Sequence, residues 1–372
     1  MTIRAAVSPG EIRVAVTGGG GLIDYAIWRP GAPDGVGDVH RGRVTAHLPA
    51  LAGAFVALEG GASGFLPDSE GGRLPEGSIL AVRVTRAAQG GKGPRLSARD
   101  VPTRDMESPD GSGPPALLWR GPGALERLAA LHPEDDILLD DAALAAQLRP
   151  TLAPRLSLVP AAFDEATLTA VEALAGPEAM LPGGARMSVH PTPALTAIDL
   201  DLGAGAAGRQ GKGAAHDAAN RAALPELARQ IRLRNLGGGI VVDFAGLSPK
   251  RRIALAPALA EALAGDPLQP RLLGFTALGF AEILRPRLHP PLHEVLAGPH
   301  AAGLAALRQL AAEQAAVPSR ALALRAAPAI VTALRADPAA LAALADRTGR
   351  PLALRDDASL APLRWLLEET NG

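Results

Sequence analysis

Leu195–Gly205 reads LTAIDLDLGAG, an apolar run with two carboxylates, Asp199 and Asp201, set into it. Its composition predicts a strand. Buried strands rarely carry acids, because an unpaired buried carboxylate is very costly. Alternate residues of a strand share a face, so Asp199 and Asp201 point one way and Ile198 and Leu200 the other. About forty residues later GIVVDFAG, 239–246, is a second apolar strand with a third acid, Asp243, near its end. Between them AANRAALPELARQIRLRNLGGG, 218–239, reads as a long helix stopped by Gly237, with Asn235 in its last turn. Residues 195–246 therefore form a strand–helix–strand unit whose strands can lie side by side, bringing Asp199 and Asp243 together. Two carboxylates about 5 Å apart repel by roughly 3 kcal/mol at an effective dielectric of 20. A shared proton, an arginine or a divalent cation would offset that, and all-oxygen ligands suit Mg²⁺ or Mn²⁺. The competing reading is that each acid caps a helix or binds a nearby arginine.

The 372 residues are 48% hydrophobic but only 3% aromatic, so the cores must be built from Ala, Leu and Val. A net charge of −1 leaves no global basic field, and any nucleic-acid site must be a local patch. The chain has no Cys, which excludes disulfides and thiolate metal sites and fits a cytoplasmic protein. The start MTIRAAVSPGEIRVAV has no continuous apolar segment of the signal-peptide kind, and no run of about 18 apolar residues suits a membrane span. No membrane partner is expected.

EIRVAVT and LIDYAIW flank four glycines, Gly18–Gly21, as a hairpin. A phosphate-cradling loop would instead open a helix. Residues 36–100 are short runs separated by Gly and Pro, which predicts a small barrel or sandwich. VPTRDMESPDGSGP, 101–114, reads as a linker. ALLWR and DILLDD are short strands alternating with helical segments over 115–175. SPKRRIALAPALAEALAG reads as one helix with Ser248 as N-cap, and PRLLGFTALGFAEILRPRL as a strand or turn leading into a short helix. From 300 the pattern is a helix broken at Pro318, then strand, helix, helix and strand. Cations gather near the acids in sequence: Arg229, Arg232 and Arg234 on the intervening helix, Arg271, Arg285 and Arg287 later, Arg209 and Lys212 in the loop 203–213. That loop is not a Walker loop, because no Ser or Thr follows its Gly-Lys. Around an acid pair these cations suit a polyanion; a solvated helix face is the other reading.

These blocks resemble the bacterial ribonuclease E/G endoribonucleases. TAIDLD is similar to the family's first metal-aspartate strand. LARQIRLRNLGGGIVVDF resembles its most distinctive block, and FAEILRPRL the block after the second acid, matching at Glu282, Arg285 and Arg287. GDVHRGRVTAHLPALAGAFVALEGGASGFLP and GGKGPRLS resemble the family's inserted barrel. The resemblance implies an α+β fold: an RNase H-like and DNase I-like catalytic body, an inserted S1-type OB β-barrel and a small α/β C-terminal domain. The divisions would be 1–35 and 115–175 for the RNase H-like subdomain, 36–100 for the barrel and 101–114 for the linker. Residues 176–300 would be the DNase I-like subdomain and 301–372 a helical connection with the C-terminal domain.

By the same resemblance Asp199 and Asp243 hold Mg²⁺, or Mn²⁺, which activates water against single-stranded RNA, with Asp201 a candidate third ligand. Phe55, Phe65 and Lys92 grip RNA, and Arg285 and Arg287 fall in a matching block; with the clustered Arg209, Lys212, Arg229 and Arg232 they are the further candidate RNA contacts. Read from the residues alone, the core is the favoured place for both phenylalanines; exposed, each would stack a base for about 1–3 kcal/mol. Four departures stand out. The long segment after the barrel that senses a 5′-monophosphate has barely a linker in its place. The cysteines that clamp a zinc between subunits are missing, and Pro290 and Pro291 keep His289 and His293 from forming a helical pair, so neither zinc nor a zinc-linked dimer is expected. Asp201 stands where the family implies Asn. Ala277 stands where it implies a substrate-contacting Arg. The second function compatible with the sequence is an RNA-binding protein that keeps the fold without turnover.

Overall fold

The computed structural model describes residues 1–99, 101, 113–203 and 212–369. The linker expected over 101–114 lies mostly outside the described residues, and so does Arg209. The fold is α+β, in two compact units: Asp34–Pro122 with Gly176–Pro291, and Met1–Pro33 with Gly123–Ala175 and Leu292–Gly372.

The first of these units holds a barrel and a sheet. Five strands, Val39–Leu48, Gly53–Ala57, Ser63–Pro67, Arg95–Ser97 and Ile79–Arg86, close in that order, because the first pairs with both the second and the last. This is the partly irregular five-stranded closure of an OB-type barrel. Val44, Val56, Leu66, Val82, Val84 and Leu96 fill it. A sixth strand, Ala116–Trp119, is hydrogen-bonded to Val39–Leu48 on the outside. It was expected with the 115–175 segment; its pairing with His40 and Arg41 makes it an appendage of the barrel instead.

The sheet of the same unit runs Glu178–Met180, Arg186–Pro191, Thr196–Asp201, Gly238–Asp243, Ala281–Arg285, Arg271–Phe275. Its central pair is parallel and is joined by the helix Lys212–Leu233. Ile198, Leu200, Ile240, Val242 and Ile283 alternate onto one face and pack with Leu224, Leu227 and Ile231 of that helix. Each such fully buried aliphatic side chain contributes about 1.5–3 kcal/mol. The helix ends before Gly237, because Asn235 takes the left-handed position (φ 47°). Leu236 N–H then returns to Ile231 O at 3.0 Å, the Schellman closure of a helix end. Asn tolerates that conformation where its amide finds local partners; here it donates to His289 O and Pro290 O at 2.9 and 3.0 Å.

Two helical expectations change. SPKRRIALAPALAEALAG is two helices, Pro249–Ile253 and Ala256–Leu263, and the Ser248 side chain makes no cap bond. Pro257 has no N–H for Ile253 O and its ring would clash with that carbonyl, so one continuous helix cannot form. AEILR is the strand Ala281–Arg285 rather than a short helix. Its buried positions alternate with period two, and it pairs antiparallel on both sides.

The other unit builds a five-stranded sheet, Leu156–Leu158, Asp136–Leu139, Thr2–Ser8, Glu11–Gly18, Gly21–Trp28, in which the glycine hairpin forms as expected. Ile3, Val14, Val16, Leu125, Ile137 and Leu139 are its core. The helix Gly298–Ala316 and the tail form a second core around Leu304, Leu307, Leu310, Ile330 and Leu334, with the three-stranded sheet Ala353–Asp356, Leu322–Ala326, Trp365–Glu369. Among the described residues no single helix is long and apolar enough to cross a membrane.

Candidate active site

Thr196–Asp201 and Gly238–Asp243 pair in parallel with Asp199 directly opposite Asp243. Neighbouring strands are about 4.8 Å apart, so two carboxylates start from adjacent backbones on one face. Their alternate neighbours Ile198, Leu200 and Val242 are buried under the helix Lys212–Leu233, which sends both acids to the opposite, open face. Asp199 is exposed and Asp243 half-buried. Cross-strand pairing adds Ser188 opposite Asp199 and Glu282 opposite Val241 to that face.

Asp243 is already engaged. Arg252 donates from Nη1 to Asp243 Oδ1 at 2.7 Å. The same guanidinium donates to Leu247 O at 3.1 Å and Gly279 O at 3.2 Å, so three bonds fix it. The Gly279 contact lies in the turn that carries Ala277, where the resemblance implies an arginine. A guanidinium therefore reaches that turn from elsewhere in the chain. Sequence reasoning passed Arg252 over. The available signal was the Lys250-Arg251-Arg252 run shortly after the second acid.

A divalent cation fits what is present. Asp199 and Asp243 are oxygen donors at facing positions on an open face, and Mg²⁺ is commonly held by one or two carboxylates while keeping several waters. Asp201 does not join them. Its Oδ1 accepts from Gly203 N–H at 2.9 Å and its Oδ2 lies 3.7 Å from Arg186. Among the described residues no three His, Asp or Glu side chains converge as a metal cluster. Asp201 lies two residues farther along the same face of the strand, beside its register partner Arg186.

The cations expected around the acids sort differently. Arg229 and Arg232 lie on the helix that packs against the other face of the sheet, so strand alternation separates them from Asp199 and Asp243. Arg229 makes two bonds to Glu226, at 2.7 and 2.8 Å, and Arg232 donates to Gly265 O at 2.9 Å. Arg285 is buried, 3% exposed, and its Nε donates to Asp266 Oδ2 at 2.7 Å. It also donates to Asn235 Oδ1 and Leu236 O. Its charge is committed to the fold, which corrects its assignment as an RNA contact. Arg287 donates from Nε to Gly237 O at 3.1 Å and keeps partial exposure. Lys212 begins the long helix.

On the barrel, Phe55 and Phe65 face each other across paired strands, with ring centroids 5.7 Å apart and planes at 68°. They are half-buried and lie outside the barrel core, whose positions alternate with theirs: Ala54, Val56 and Leu66 point in. Gly53 makes room for this, since a Cβ there would meet the Phe65 ring at 2.4 Å. Lys92 is exposed in the turn closed by the Gln89–Lys92 bridge, three residues before the strand that pairs with Phe65. The two rings lie on adjacent strands, and the loop that carries Lys92 leads into the strand Arg95–Ser97, which pairs with the Phe65 strand.

Comparison with known proteins adds an independent line. Residues 138–288 match the Ribonuclease E/G family. Ribonuclease E of Escherichia coli (strain K12) is 25% identical over 387 residues, covering 76% of this chain and 36% of that protein. Ribonuclease E of Synechocystis sp. is 32% identical over 149 residues, 37% of this chain and 21% of that protein. Ribonuclease G of Escherichia coli (strain K12) is 33% identical over 117 residues, 31% of this chain and 24% of that protein. The chain thus covers well under half the length of each of these relatives.

Proposed function

We propose, on the premise that the chain belongs to the ribonuclease E/G family through its segment 138–288, that it is an endoribonuclease hydrolysing phosphodiester bonds of single-stranded RNA. The observation that supports this most is the in-register facing of Asp199 and Asp243 on the open face of a sheet that shares its unit with an aromatic-bearing barrel. Mg²⁺, or Mn²⁺, held by Asp199 and Asp243 would supply an activated water and neutralise phosphate charge.

The chain's own residues do the rest. Phe55 and Phe65 stack bases, and Lys92 meets phosphate. Arg252 holds the Asp243 carboxylate in one orientation and keeps a positive charge beside the acids, offsetting their repulsion. In-line hydrolysis leaves a 5′-phosphate and a 3′-hydroxyl. The test is incubation of purified protein with end-labelled single-stranded RNA in Mg²⁺ and in EDTA. Internal cleavage in Mg²⁺ alone is the expected result; no cleavage in either overturns it. One observation favours a second reading, an RNA-binding protein without turnover: Arg252 competes with a cation for Asp243. In that case RNA binds but no condition cuts it.

Two further outcomes are expected. Phe55→Ala and Phe65→Ala each weaken RNA affinity by about 1–3 kcal/mol, read by fluorescence anisotropy, while turnover at saturating RNA stays near wild type. Retained affinity in both would show that the rings serve the barrel alone. Cleavage rates are expected to be the same for RNA carrying 5′-monophosphate, 5′-triphosphate or 5′-hydroxyl, because the segment that the family uses for sensing has barely a linker in its place. A strong preference for the monophosphate would sink this expectation.

A further inference from the structure

A cavity of about 490 Å³ opens between the barrel and the sheet of the same unit, lined by Thr85, Arg86 and Arg95 on one side and Arg271, Leu284 and Arg287 among those on the other. Its two walls are joined: Ala87 N–H donates to Leu288 O at 2.8 Å, and His289 Nδ1 lies 2.6 Å from Asp34 Oδ2. Four of the lining residues are arginines that make no ion pair among the described residues: Arg86, Arg95, Arg271 and Arg287. A fifth arginine of the lining, Arg285, is matched by Asp266; of the other four, Arg86 and Arg287 are half-buried and Arg95 and Arg271 exposed.

Like charges gathered without counter-charge repel, and a fold tolerates them only where something else gains. Burial, then Arg95 and Arg287, hold the Arg86 guanidinium below its usual pKa. The Arg86 Nε is buried and has no hydrogen-bond partner among the described residues. Arg287 is laid across Gly238, where φ is 84° and a Cβ would come 2.3 Å from its Nε and Nη2. A glycine is thus placed where the guanidinium needs the space.

We propose that this cavity is a phosphate site, and that the phosphate it takes is an internal phosphodiester of the RNA strand running from the barrel toward the acid pair. Two placements carry the choice of an internal phosphate. Arg95 is the register partner of Phe65, so a strand stacked on the aromatic pair passes beside the cavity. Gly238 and Asp243 begin and end one strand, which sets the cavity about 17 Å from the acids at roughly 3.3 Å per residue. The site rests on the RNA reading above. It adds a basic stop between the barrel and the acids, built partly from residues the family blocks do not assign.

The test measures binding in EDTA and so does not need cleavage. With a 5′-hydroxyl RNA oligonucleotide, the double variant Arg86→Gln, Arg95→Gln is expected to bind about tenfold more weakly. The slope of log affinity against log salt shrinks by about 0.7 for each phosphate that is no longer neutralised. The weakening is the same for 5′-monophosphorylated RNA, and Arg86→Lys with Arg95→Lys keeps the salt slope. The thermal midpoint of the RNA-free double glutamine variant does not fall, because repulsion is relieved. Unchanged affinity and slope overturn the proposal, as does a weakening confined to 5′-monophosphorylated RNA, which assigns the cavity to a chain end. Inorganic pyrophosphate protecting the wild type but not the variant against heat, with RNA affinity equal in both, assigns it to a free anion and also overturns the proposal. If the wild type binds no RNA, the substrate reading falls as well; if it binds and the variant matches it, this site alone falls.

Discussion

Asp199→Asn and Asp243→Asn are each expected to lower Mg²⁺-dependent RNA cleavage by about two to three orders of magnitude, the range seen when one preorganised electrostatic group is removed from a reacting centre. Asparagine keeps the shape of the side chain and removes its charge. RNA affinity in EDTA should stay within about twofold, because neither acid attracts a polyanion. The two variants differ in one respect. Asp243→Asn also breaks the ion pair with Arg252, whose partners are 41% and 15% exposed at the Asp and Arg side chains. For a partly exposed pair that costs about 1 kcal/mol or less, so unfolding curves for both variants should nearly overlay the wild type. Cleavage surviving within tenfold in both would remove the acid pair from the mechanism. Asp201→Asn is the informative control, since Asp201 is held by Gly203 N–H and Arg186 rather than facing Asp243; its cleavage rate should remain near that of the wild type.

The largest effect on stability is expected at Arg285. This guanidinium and Asp266 are 3% and 6% exposed and bond twice, Nε to Oδ2 at 2.7 Å and Nη2 to Oδ1 at 3.3 Å. Arg285→Ala strands a buried carboxylate and leaves Asn235 Oδ1 and Leu236 O short of a donor. Breaking a buried pair from one side costs about 3–5 kcal/mol, a large share of the ~5–15 kcal/mol that holds a domain together. Urea unfolding followed by circular dichroism should show it as a lowered midpoint. Exchanging both partners for apolar residues, Arg285→Met with Asp266→Leu, should recover only part of the loss: the stranded charge is gone, but Asn235 Oδ1, Leu236 O and Leu268 N–H stay without their partners. A single-variant cost below about 1 kcal/mol would mean that the pair is not buried in solution.

Both predictions bear on what the amino-acid pattern could convey. Period-two alternation and helical spacing are local, so the acid strands, the helix between them and the facing of Asp199 and Asp243 were readable. The direction of each cation was not. Arg229 and Arg232 are near the acids along the chain, but the same alternation that opens one face to the carboxylates turns the helix onto the other. Arg285 reads like any surface arginine until Asp266, nineteen residues away, is known to meet it. Composition alone favours a core place for Phe55 and Phe65, whereas the register across two strands turns both rings outward. Arg252 was missed because Pro257 bends a single apparent helix into two, and the first of these carries the guanidinium beside Asp243.

The strand Ala116–Trp119 has a consequence for how such a chain can grow. It is paired to the barrel strand Val39–Leu48, while Arg95–Ser97 is itself a barrel strand. Ser97 and Ala116 are therefore both anchored on the barrel. For an excursion pinned at both ends, each doubling of length adds only about 0.6 kcal/mol of closure entropy. This is the place where the resemblance implies a long segment in relatives. A module could be gained or shed there at small thermodynamic cost, with the aromatic pair and the acid sheet undisturbed, which makes the interval between Ser97 and Ala116 a natural site for inserting a folded reporter domain.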